Sequence, residues 1–169
     1  MKKFVSALLT VLALLTFSAG VALADTSTPF NPQLVGTVSV SPAGNSQQVQ
    51  KWTLMAKGSQ APLGDFAYQS ELVVHIQNGL PAFAQGHGTF TGVGTSSGDS
   101  ISFTLNLTFG SPEANNPNMI PFTGTFTVTS GTGRFQGVTG SGTIPQGGAN
   151  IANDTFFGNW DGFVVSKSG

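Results

Sequence analysis

The chain has 169 residues, and its six Lys and Arg nearly balance its seven Asp and Glu. Only 8% of residues are charged and no basic cluster occurs, which excludes an electrostatic nucleic-acid binder. There is no cysteine, so disulfides and thiolate chemistry are excluded and stability must come from an apolar core.

Residues 1–24 read as a secretory signal. Lys2 and Lys3 supply the positive start, an apolar run follows between Phe4 and Phe17, and Ala22-Leu23-Ala24 fits the small-x-small cleavage rule. The mature chain is expected to begin at Asp25, to keep no membrane span and to be secreted or periplasmic. It then carries Lys51, Lys57, Arg134 and Lys167 against seven acids, a net of −3 (4 − 7) with histidines neutral. Residues 25–169 form one domain, for which burial of about two thirds of the unfolded surface is expected.

Eight strands are predicted in this part. The first, 33–41, places Leu34, Val38 and Val40 on one face, and Ser41 to Asn45 turns the chain. The second, 47–57, is built around Trp52 and Leu54. The third, 66–77, sets Leu72, Val74 and Ile76 against Glu71, Val73, His75 and Gln77, and ends at Asn78-Gly79, a strong hairpin signal. The fourth, 82–94, is glycine-rich and carries Phe83, Phe90 and Val93. The fifth, 100–109, alternates most cleanly: Ile101, Phe103, Leu105, Leu107 and Phe109 against Ser102, Thr104, Asn106 and Thr108.

A Pro- and Asn-rich loop covers 110–118. In the sixth strand, 121–130, Phe122, Phe126 and Val128 alternate with threonines. The seventh is placed at 134–144, a second long polar loop at 145–154, and the eighth strand at 155–166 around Phe157, Trp160, Phe163 and Val165. No stretch holds a helical period. Eight short strands with tight turns argue for an all-β antiparallel sandwich or barrel.

The hairpin joining strands six and seven organises the rest. Ser130-Gly131-Thr132-Gly133 breaks the sixth strand, and the seventh carries Gly137, Gly140 and Gly142, which points to coiling, a bulge or close backbone approach. Arg134, the only arginine, suits a fork that ties the turn to loop carbonyls, or an anion contact. The run Gly131-Thr132-Gly133-Arg134-Phe135-Gln136-Gly137 followed by Thr139-Gly140-Ser141-Gly142 resembles the signature hairpin of allene oxide cyclase and dirigent-type barrels. It resembles more closely that of exported bacterial proteins with an allene-oxide-cyclase-like domain. The resemblance implies an eight-stranded antiparallel barrel over the alternative β-sandwich. It also implies a polar or acidic group inside the cavity, isomerase or cyclase chemistry, and a homo-oligomer.

Candidate catalytic residues are Glu71, His75 and Tyr68. Glu71 and His75 share a strand face about 13 Å apart, too far for a direct hydrogen bond. His87 is the partner a dyad would need, and the Asn78-Gly79 turn decides its side. A two-residue turn sets His87 opposite Ser70; a three-residue loop sets it opposite Glu71. The competing reading puts these groups on a solvated outer face. Two histidines and no cysteine match no zinc spacing, so no metal is assigned. No phosphate loop or dinucleotide fingerprint follows a strand, so no cofactor is assigned either.

Trp52, Phe103, Phe126, Arg134 and Trp160 are the candidate ligand-binding residues if the barrel is hollow, since barrel pockets are mostly apolar with few polar groups. The leading reading is a barrel that holds a small apolar or amphipathic molecule in its cavity, with an isomerase or cyclase and a non-catalytic structural or surface interaction protein as alternatives. An open cavity without an inward acid points to the first, an inward acid with a shifted pKa to the second, and phenylalanines filling the barrel to the third.

Overall fold

The computed structural model describes residues 25–166. The signal segment, its cleavage site and Lys167 fall outside these residues. Among the described residues nine strands occur: β1 Thr26–Pro29, β2 Gln33–Pro42, β3 Val49–Gln60, β4 Gly64–Gln77, β5 Leu80–Gly92, β6 Ser100–Phe109, β7 Met119–Thr132, β8 Thr139–Asn150 and β9 Thr155–Ser166. From β2 to β9 each strand pairs antiparallel with the next, and β9 closes back onto β2. The result is a closed eight-stranded meander barrel, and the sandwich alternative is set aside by that closure. Pairing around the full ring leaves no second sheet to face the first.

β1 is an extra strand the sequence reading missed. It continues along β9 beyond the start of β2, with Thr26 opposite Ser166 and Pro29 opposite Phe163. Between β1 and β2 the chain stays tied to β9: the Phe30 amide donates to the Gly162 carbonyl at 2.9 Å, and the Trp160 amide to the Pro32 carbonyl at 3.0 Å. That break in the strand lets Phe30 turn into the core.

Two loop boundaries also differ from expectation. Residues 145–150 belong to β8, and only 151–154 form the turn before β9. Pro145 sits at a register shift between Thr143 and Gln146, where no ladder donor is required, so it does not end the strand. The strand predicted from residue 134 begins instead at Thr139, because Gly133–Phe135 is a 3-10 turn that dips Phe135 into the core.

That turn occurs twice. Gly94–Ser96, between β5 and β6, and Gly133–Phe135, between β7 and β8, are both single 3-10 turns entered from extended residues. Each is bracketed by glycines at positive φ, Gly94 (61°) and Gly98 (96°) in one, Gly133 (60°) and Gly137 (73°) in the other. A Cβ is strained in that region, so the G-x-x-x-G spacing is what both turns require. The repeated unit is a strand, this turn and a strand, used twice at one end of the barrel.

Inward positions follow the period of two: Trp52 and Leu54 on β3, Phe66, Tyr68, Ser70, Leu72 and Val74 on β4, Ile101 to Phe109 on alternate positions of β6. Four register shifts, on the β4–β5, β6–β7, β7–β8 and β8–β9 ladders, supply the local bending that a small barrel needs.

Candidate functional site

The lumen holds an aromatic cluster in which Tyr68, Phe103, Phe126 and Trp160, singled out from sequence, meet Phe30, Phe66 and Phe90. Phe90 on β5 is the hub. Its ring is 5.1 Å from Phe30, 5.1 Å from Phe66, 5.0 Å from Tyr68, 5.2 Å from Phe103 and 5.3 Å from Trp160. Trp160 is also 5.0 Å from Phe103 and 4.7 Å from Phe126. These are edge and tilted contacts at ordinary packing distance, so the rings fill the space between the strands. Inward glycines give them room: a Cβ at Gly88 would run into the Phe103 ring, and one at Gly142 into Phe126. Trp52 lies apart from this cluster. It packs on Phe109 at 5.3 Å towards the other end and donates its indole N–H to Gln50 Oε1 at 2.9 Å.

The polar group of the lumen is Tyr68. Its hydroxyl donates to Ser70 Oγ at 2.9 Å, and both residues are buried. Burial pushes the phenol well above its ordinary range, and the Ser70 hydrogen bond offsets this only in part. Tyr68 is therefore a neutral donor surrounded by rings.

Glu71 and His75 lie on the outer wall. Glu71 takes an ion pair from Lys51 at 2.9 Å, both side chains being solvent-accessible. The Lys51 hydrogen bond, then its charge, holds the Glu71 carboxyl below the usual carboxylate range. His87 is directly opposite Glu71, by a route the sequence reading did not contain. The Asn78-Gly79 turn has two residues, with Gln77 opposite Leu80, yet a bulge on β5 skips Ala82 and sets His75 opposite Phe83. One extra residue reverses the face of everything after it. His75 stacks on Phe83 with centroids 4.3 Å apart and planes 13° apart. The three catalytic candidates are thus divided, Tyr68 inside and the other two outside.

Arg134 acts as a clasp between the two repeated turns. Its Nε donates to Asp99 Oδ2 at 2.7 Å and its backbone N–H to Asp99 Oδ1 at 2.9 Å. The Arg134 backbone N–H first, then its side chain, draws the Asp99 carboxyl below its usual range. The guanidinium meets a carboxylate rather than loop carbonyls, and Asp99 was not singled out from sequence. Its only local signal is the Gly98-Asp99-Ser100 turn.

Surface hollows lie on the wall and rim. One of about 520 Å³ runs over β3, β4 and β5 between Met55, Lys57, Ala67, Gln69 and His87. Another, of about 660 Å³, sits at the rim beside Gln48, His75, Gln77 and Phe83. Among the described residues no group of three His, Cys, Asp or Glu converges in a way that could hold a metal ion. No protein-family model matches the chain, and no curated protein matches it.

Proposed function

We propose that this is an exported, non-catalytic barrel that acts through its outer wall, with the lumen serving as the core. The observation that carries this reading is the Phe90 hub: five aromatic neighbours at 5.0–5.3 Å leave the lumen to side chains. Chemistry within the lumen would have to rest on Tyr68, a neutral phenol already bonded to Ser70. Glu71 is held by Lys51 in solvent, and His75 is stacked against Phe83. In this reading the likeness of the Gly131–Gly142 hairpin to allene-oxide-cyclase-like barrels is one of architecture, and the repeated glycine turns are its physical content.

The test is native mass spectrometry of the mature protein purified from its own envelope or medium. The expected result is the bare mass of the chain, or of an oligomer of it. A reproducible additional mass of a few hundred daltons, released on unfolding, overturns the reading in favour of an occupied lumen.

A further inference from the structure

Charge is segregated around the barrel. Lys51 and Lys57 are on β3, Asp65 and Glu71 on β4, and Asp161 on β9. The four consecutive strands β5, β6, β7 and β8 contain no Asp, Glu, Lys or Arg at all. β1 and β2 carry none either, so the strand charges are confined to β3, β4 and β9, and β5–β8 form the longest unbroken uncharged stretch of wall.

That stretch is covered by hydroxyl and amide side chains in register. Thr108 stands opposite Thr123, Asn106 opposite Thr125, and Thr104 opposite Thr127 across β6 and β7. Thr125 continues to Thr143 and Thr127 to Ser141 on β8. The threonines and Asn106 are exposed. Same-face side chains repeat about every 6.6 Å along a strand, and neighbouring strands lie about 4.8 Å apart. This is a grid of groups that both donate and accept, on the scale of successive sugar rings.

At the corner of the grid stands an exposed aromatic platform. Phe83 is opposite Thr108 on β6 and 37% exposed, and stacking on His75 holds its ring in place. Gln85, also exposed, follows on β5 and pairs with Asn106.

Resting on the outer-wall reading, we infer that the β5–β8 wall binds an uncharged polysaccharide. A neutral glycan presents an apolar C–H face to an aromatic ring and hydroxyls to threonine and amide groups. An acidic or basic polymer finds no counter-ion on these strands. A protein partner would need a core of aromatic and arginine anchors, and Phe83 alone does not make one.

The experiment is retention of the folded protein on cellulose, xylan, starch and chitin, with polygalacturonate as the charged counterpart. Retention is expected on at least one neutral glycan and unchanged at high salt, because no ion pair is involved. Phe83→Ala, and separately the triple change Thr108→Val, Thr123→Val and Thr125→Val, should each weaken it about tenfold or more while thermal unfolding stays cooperative. Val35→Thr, on β2 across the barrel, should leave it intact. Salt-released binding to polygalacturonate alone, or full binding by both wall variants, overturns the inference. Failure to bind any neutral glycan, with a bare mass in the mass spectrometer, overturns the glycan inference and leaves the outer-wall reading standing.

Discussion

Replacing Phe90 with alanine tests whether the lumen is a core. Phe90 is fully buried and touches rings from β4, β6, β9 and the segment between β1 and β2. Phe→Ala in a core costs about 3–5 kcal/mol, and the cost is highest where the surroundings cannot collapse. Here the five neighbouring rings are anchored on a closed ring of strands, so relaxation is limited. Each aromatic pair adds about 0.5–1.5 kcal/mol beyond its area. The expected loss is therefore at the upper end, about 4–5 kcal/mol. At about 3 °C per kcal/mol for a domain of this size, Tm should fall by about 12–15 °C. Guanidinium unfolding followed by tryptophan fluorescence measures this, since Trp160 lies 5.3 Å from Phe90. The denaturant slope should stay unchanged. The vacated site should also take up benzene, as dry apolar cavities do, while the parent protein should not. A loss below about 1.5 kcal/mol, with benzene already bound by the parent, would refute the filled lumen and return the barrel to the class of ligand carriers.

Two predictions concern titration. Tyr68 is the only tyrosine, so the ultraviolet phenolate signal reports it alone. With its pKa raised by burial, the native chain stays protonated above the ordinary value of about 10 while the unfolded chain ionises. Stability is then complete below that value and is lost as pH rises beyond it. The phenolate signal should appear together with unfolding, and a gradual rise in the native state contradicts the burial.

Asp99 has the opposite sign. Its folded pKa is lowered, so its contribution is present above the ordinary carboxylate value and is lost as pH falls through the folded value. Asp99→Asn should flatten the acid limb of the Tm–pH curve. Arg134→Ala should flatten it only in part, because the backbone N–H of residue 134 still donates to Asp99. Equal curves for the parent and Asp99→Asn would show that the clasp does not contribute.

The alternation of Ile101, Phe103, Leu105, Leu107 and Phe109 with polar residues determined β6, its faces and its contribution to the core, because a strand's period of two is a property of the backbone alone. Gly133 likewise marked a turn, since positive φ is a local requirement, but Gly137, which closes that turn, read as part of the following strand. Closure, register and partnership were decided by pairing between distant segments. The bulge at Ala82 put Glu71 beside His87, and no local pattern announces an extra residue in a strand. Asp99 met Arg134 because two similar turns lie side by side at one end of the barrel. Pro145 stayed within a strand because its neighbours shifted register around it. Whether the inward phenylalanines would line a pocket or fill a core depended on the barrel's radius and on where the inward glycines fell. Both are set only when the last strand closes on the first, because closure links strand number, tilt and stagger into one geometry.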